Sequence, residues 1–136
     1  MSTAFGPQLI GETEKALNAL LRRNLAGTGL TEPQWVTLRV ATQLDGRVDS
    51  DGLVAAVGER ALFEDAGALV VALTERGLLE NGRLTDPGRE LVAGVQQRNR
   101  RLADEVWSDL GENDVAAAER VLHRVIAAAR AVLAQT

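Results

Sequence analysis

The sequence predicts a mostly α-helical protein, and three observations carry that expectation. Apolar residues recur at three- and four-residue spacing along most of the 136 residues, the period of an amphipathic helix. The only aromatics are Phe5, Trp35, Phe63 and Trp107, so Ala, Val and Leu do the packing. Strand chemistry is confined to one short stretch, Leu78–Thr85, interrupted by Asn81-Gly82. That dipeptide is a strong hairpin signal, because a type I′ turn needs positive φ at both central residues.

The elements follow in order. Gly6-Pro7 opens a helix to about Ala26, with Leu9, Ile10, Leu17, Leu20, Leu21 and Leu25 at helical spacing, and Gly27-Thr28-Gly29 stops it. Thr31-Glu32-Pro33-Gln34 is a capping box for a second helix, which carries Trp35, Val36, Leu38, Val40 and Leu44 and ends before Asp45-Gly46. Asp49-Ser50-Asp51 offers N-caps for a short third helix, about Gly52 to Glu59. A fourth runs from Phe63 or Glu64 to Arg76, burying Leu62, Ala66, Leu69, Val70 and Leu73. Gly77 suits a left-handed C-cap. The hairpin pairs Leu78–Glu80 with Arg83–Thr85. Thr85 or Asp86 then caps a long helix to about Leu110, with Pro87 in its first turn, where a missing N–H costs nothing. Helix, hairpin, long helix is the order of a winged helix-turn-helix, in which the fourth helix is the recognition helix.

The long helix carries Leu91, Val92, Val95, Asn99, Leu102, Val106 and Leu110, close to a heptad seam. Gly111 breaks it, and Asn113 or Asp114 caps a last helix with Val115, Ala118, Leu122, Val125, Ile126, Ala129, Val132 and Leu133 on one face. Two helices of some 20 residues span about 30 Å each, longer than a small globule needs. The expectation is one domain over residues 1–136. Its winged lobe covers 30–91, and a helical dimerisation region covers 7–26 and 87–135. Intramolecular packing of the three long helices is the alternative.

Composition excludes several classes. There is no cysteine, hence no disulfide and no Cys-based metal site, and His123 is the single histidine. Gly-rich phosphate loops, nucleophile–base pairs and metal-ligand clusters are missing from the sequence, so the expectation is no enzyme, no catalytic residue, no metal and no cofactor. No signal peptide is recognisable, and no apolar run approaches the roughly 20 residues of a membrane helix. The expected location is therefore the cytoplasm, without membrane association.

Three stretches together resemble the MarR family of regulators: Leu30-Thr31-Glu32-Pro33-Gln34-Trp35-Val36-Thr37-Leu38, Leu73-Thr74-Glu75-Arg76-Gly77-Leu78-Leu79, and Leu84-Thr85-Asp86-Pro87-Gly88-Arg89-Glu90-Leu91. The resemblance spans nearly the whole chain. It implies a two-fold homodimer with interlocked terminal helices, whose two lobes address successive major grooves of double-stranded DNA. It also implies a small aromatic or anionic ligand between lobe and dimer region. On this resemblance Arg60, Thr74, Arg83 and Arg89 are candidate DNA contacts.

Two departures stand against that pattern. The wing is nearly absent, with Arg83 as its only basic residue. The recognition segment reads Glu64-Asp65-Ala66-Gly67-Ala68-Leu69-Val70-Val71-Ala72, with two carboxylates where phosphates would approach and no donor side chain before Thr74. Between Arg47 and Glu90 nine acids face five bases, so this segment holds the chain's whole net charge of −4. Nonspecific affinity for DNA rests on Lys and Arg. Carboxylates in a first helical turn also complement the helix dipole, worth about 0.3–1 kcal/mol each. The functional expectation is therefore a MarR-like transcriptional regulator. Its rival is a degenerate winged-helix dimer acting through a small ligand or a protein partner.

Five further features have two readings each. Trp35 and Arg39, four apart on the second helix, form either a ligand site, with an indole to stack on and a guanidinium for a carboxylate, or a core Trp with a surface Arg. Gln96–Arg101 is either an anion-binding cluster or a solvated face pairing with Asp104 or Glu105. Asn99, on the seam, either pairs with its two-fold mate or sits partly exposed at the edge. His123, four after Glu119, is either a surface pair or a metal or pH-switch group, for which partners are lacking, and Trp107 is either dimer-core packing or a ligand contact.

Overall fold

Helix α2 shows how closely local chemistry sets the elements. The Thr31 hydroxyl accepts from the Gln34 backbone N–H at 3.2 Å, and the Gln34 side chain accepts from the Thr31 N–H at 3.0 Å. Both halves of the capping box form, and the helix runs Glu32–Leu44. The computed structural model describes residues 2–61 and 63–135. Its order is α1 (Pro7–Asn24), α2 (Glu32–Leu44), α3 (Ser50–Ala61), α4 (Ala66–Glu75), β1 (Leu79–Glu80), β2 (Arg83–Leu84), α5 (Asp86–Trp107) and α6 (Glu112–Ala134). The chain divides into two compact units, one ending at Arg100 and one beginning at Arg101.

In the first unit α2, α3, α4 and the hairpin enclose the core. Leu38, Leu53, Val57, Leu73 and Val95 are fully buried, with Trp35 and Leu79 at 2 % exposure. Thr37, fully buried among them, donates its hydroxyl to the Pro33 carbonyl at 2.9 Å, so no polar group is stranded. Asp49 caps α3, accepting from the Gly52 N–H at 2.9 Å. β1 and β2 pair antiparallel, Leu79 opposite Leu84 and Glu80 opposite Arg83. Asn81 and Gly82 both have positive φ, 50° and 82°, as a two-residue type I′ turn requires.

Two glycines make this wing compact. A Cβ on Gly82 would lie 2.6 Å from the Asp49 carbonyl, so the wing tip rests directly on the loop before α3. A Cβ on Gly88, in the first turn of α5, would lie 3.1 Å from the Leu78 carbonyl carbon and closer still to its oxygen. Thr85 completes the joint by donating to the Gly77 carbonyl at 2.5 Å and accepting from the Gly88 N–H at 3.1 Å.

Side-chain hydrogen bonds between distant segments also tie the first unit together. Arg76, just past α4, donates to the carbonyls of Gly29 at 3.1 Å and Thr28 at 3.0 Å in the loop between α1 and α2. Asn24 donates to the Asn99 side chain at 2.8 Å, and Arg98 donates to the Asn24 carbonyl at 2.9 Å. Asn99 thus has a partner on α1 of the same chain, which accounts for the oxygen of its side-chain amide.

Several boundaries differ from the sequence expectation. α4 starts at Ala66 rather than at Phe63 or Glu64, because Asp65 takes a non-helical φ of −102° and ψ of 28° and forms no side-chain cap. Glu64 and Asp65 therefore precede the helix, and its first turn holds no acid. Leu62, expected on the buried face, lies outside the described residues. α5 ends at Trp107 rather than Leu110. α6 is capped by extended Gly111, whose carbonyl accepts from the Val115 N–H at 3.0 Å. Asn113 and Asp114 therefore lie inside α6 instead of capping it. α3 is longer than expected at both ends, and α1 stops at Asn24 rather than Ala26.

In the second unit α6 carries an apolar stripe with Val115, Leu122 and Ile126 at 42 %, 39 % and 45 % exposure. These three, with Trp107, Leu110 and Ala118, line an open apolar groove of about 590 Å³. His123 and Glu119 stand 3.9 Å apart, both exposed.

Candidate nucleic-acid interface

Helices α3 and α4 with the hairpin are the parts that would meet DNA. On α4 the buried residues are Ala66, Leu69, Val70 and Leu73. The outward residues are therefore Gly67, Ala68, Val71, Thr74 and Glu75, with Glu64 and Asp65 exposed just before the helix. Val71 is 55 % exposed at the centre of this face. Thr74, the one hydroxyl on the helix, donates to the Val70 carbonyl at 2.7 Å, which leaves its lone pairs but not its proton for a partner. A phosphate approaching this helix meets carboxylates and methyl groups.

The cations lie elsewhere. Arg60, at the end of α3, is exposed and reaches Gln43 on α2 at 3.4 Å. Arg83 and Arg89 come together at the base of the wing. Arg89 donates to the Leu84 carbonyl at 2.9 Å and pairs with Asp86. The Arg83 side chain lies across the turn after α2, where a Cβ on Gly46 would stand 3.2 Å from its Nε. Its guanidinium makes no hydrogen bond or ion pair among the described residues.

Both arginines line a half-open cleft of about 430 Å³ between the end of α2, β2 and the start of α5. Ala41, Leu84 and Val92 give it an apolar floor, and Thr42, Asp45 and Gln96 stand with the arginines at its rim. A shallower recess, lined by Glu80, Asn81 and Asp86 as well as both arginines, flanks the wing. The sequence pattern marked Asp45-Gly46 only as a helix stop and gave no sign of this cleft. Its walls come from segments some 40 positions apart.

Trp35 and Arg39 are not brought together at a cavity mouth. Trp35 is 2 % exposed within the core, while Arg39, one turn further along α2, is exposed. Four residues subtend about 40° on a helix, enough at this boundary to separate core from solvent. Among the described residues no three His, Asp or Glu side chains are grouped as a metal site would need. No helix is long and apolar enough to cross a membrane.

The chain is similar in structure to the PcaV transcriptional regulator from Streptomyces coelicolor, solved in complex with its natural ligand. The TM-score is 0.67 at 23 % identity, over 95 % of this chain and 99 % of that one. No curated protein matches the sequence. The model of a helix-turn-helix family matches residues 25–135, from the end of α1 through α6. The α3–α4 pair and the short hairpin that follows it give that match a winged form, and the chain belongs to the helix-turn-helix family.

Proposed function

We propose that the protein is a MarR-like transcriptional regulator that binds double-stranded DNA as a homodimer and responds to a small ligand. The observation that carries this reading is the helix-turn-helix family match laid over an α3–α4 pair with a wing. The exposed apolar stripe of α6 supports the dimer, since apolar patches of this kind mark association surfaces. Residues 7–26 and 87–135 form the dimerisation region in this reading. Arg83 and Arg89 are the leading phosphate contacts, with Arg60 and Thr74 beside them.

Binding rests on few cations, so it is weak in nonspecific background and relies on a specific site. The test is an anisotropy titration against the DNA upstream of the protein's own gene, at low and moderate salt. Arg83→Ala should weaken binding and flatten its salt slope by about one contact. Tight binding at physiological salt that ignores Arg83→Ala would refute this account of the surface.

One observation favours a second reading, a winged-helix dimer without DNA binding that acts as a small-ligand or protein-partner module. It is the acidic and apolar outward face of α4. On that reading the native protein ignores genomic fragments even at low salt, while Glu64→Lys with Asp65→Arg creates an affinity it lacks.

A further inference from the structure

We propose that the outward face of α4 docks a cationic amphipathic helix of a partner protein, which lays a narrow apolar seam along α4 between positive charges at either end. The proposal deepens the second reading above, in which this lobe serves a protein partner instead of DNA, and it rests on that reading.

The helix period builds the face. Gly67, Ala68, Val71, Thr74 and Glu75 are all exposed and fall within about 120° of one another around α4. Nothing in the chain lies over its start, since a Cβ on Gly67 would meet no atom within 4 Å. Val71, 55 % exposed, is the apolar centre. Gly67 and Ala68 add no bulk beside it, and the Thr74 hydroxyl is turned onto the Val70 carbonyl. A second helix can therefore approach to about 8 Å between axes, the near end of the range for packed helices.

Carboxylates stand at both ends of this seam. Glu64 and Asp65 precede its first turn, and Glu75 closes it. None of the three side chains makes a hydrogen bond or ion pair among the described residues. Arg76, the cation next to Glu75, is turned back onto the Gly29 and Thr28 carbonyls. Ten residues separate Asp65 from Glu75, about 15 Å at helical rise.

Charge selects the occupant. DNA and anionic lipid are repelled by the free carboxylates. Two copies of this chain packed face to face through α4 would set acids against acids in either direction. A helix with Lys or Arg about 15 Å apart and small or medium apolar residues between them complements the face throughout. The seam supplies the affinity, because exposed ion pairs contribute little singly. The acids set the sign of the partner, and two at one end against one at the other set its direction.

The experiment uses the full chain and a stapled helical peptide of about 16 residues, long enough to cover the face. It carries an Arg pair at one end, a single Arg about ten residues on, and Leu and Ala on the side between them. Anisotropy titration at moderate salt should give a Kd tighter than about 100 μM. The same peptide with Ser in its seam should bind at least tenfold weaker, and the version with Glu for Arg should not bind. Val71→Asn should weaken the peptide about tenfold, the scale of one buried valine. Glu64→Gln, Asp65→Asn and Glu75→Gln together should do the same, the sum of three exposed pairs. Glu12→Gln with Glu14→Gln, on α1, should leave binding unchanged, and unaltered melting temperatures would show that the variants fold. Equal binding of the Ser-seam peptide overturns the seam, and binding that ignores Val71→Asn and the triple variant overturns the site. A chain that binds neither this peptide nor DNA overturns the docking surface and leaves the reading without DNA standing. A chain that binds DNA and loses it on Val71→Asn defeats that reading and this inference with it.

Discussion

Gly88→Ala offers a test in which two physical effects oppose each other and the structure says which wins. Gly88 lies in the first turn of α5, where Ala is favoured over Gly by about 0.5–1 kcal/mol through backbone entropy. A methyl group there would sit 3.1 Å from the Leu78 carbonyl carbon and closer to its oxygen. The neighbour is backbone, itself accepting from the Thr85 N–H at 3.1 Å, so it cannot rotate aside. Overpacking of this kind costs about 1–3 kcal/mol, and an unyielding backbone contact belongs in the upper half of that range. The net expectation is a loss of about 1–2 kcal/mol, which lowers the melting temperature by roughly 3–10 °C for a chain of this size. Gly94→Ala is the control, because it lies in the same helix and its Cβ would meet nothing nearer than Arg98 Nη1 at 4.0 Å. It should gain about 0.5–1 kcal/mol. Far-UV circular dichroism melts at one fixed protein concentration decide the matter, since association makes the midpoint concentration-dependent. A Gly88→Ala protein as stable as the Gly94→Ala protein would refute the close approach of α5 to the wing.

Two further outcomes follow from the same reasoning. Thr31→Ala removes one half of the capping box and should cost about 1 kcal/mol in urea denaturation, with no change in the slope against denaturant. On the dimer reading proposed above, Ile126→Asp places a charge in the middle of the α6 stripe and should dissociate or unfold the protein, seen by sedimentation at micromolar concentration as a monomer where the native protein is a dimer; a variant that sediments as a dimer would remove α6 from the interface.

What the sequence made legible is what local chemistry decides. The Thr31–Gln34 box needs residues three apart, and it formed as read. The same holds for Asn81-Gly82, whose φ requirement fixes the hairpin register to Leu79–Leu84 and Glu80–Arg83. The start of α4 is less legible, because acids such as Glu64-Asp65 suit a first helical turn, yet Asp65 takes a non-helical φ and ψ and the helix begins at Ala66. Contacts between distant segments leave no local trace. Asn99 offered a polar group on an apolar seam, but nothing in the pattern named Asn24, 75 positions away, as its partner. The Arg83–Arg89 cleft was hidden for the same reason: its opposite wall is the end of α2.

The Arg76 strap bears on how the lobe folds and comes apart. Its two bonds to the Gly29 and Thr28 carbonyls join positions 47 and 48 residues apart in sequence. Closing so long a loop is entropically unfavourable until α2, α3 and α4 have already packed. The strap is therefore expected to close after the folding barrier has been crossed and to break early on the way back, an order that the folding and unfolding rates of Arg76→Ala would check. Contacts of this kind leave the rate of folding alone and hold down the rate of unfolding. On that expectation Arg76 is a clasp on the lifetime of the folded lobe: a lobe without it should form as fast and persist for less time.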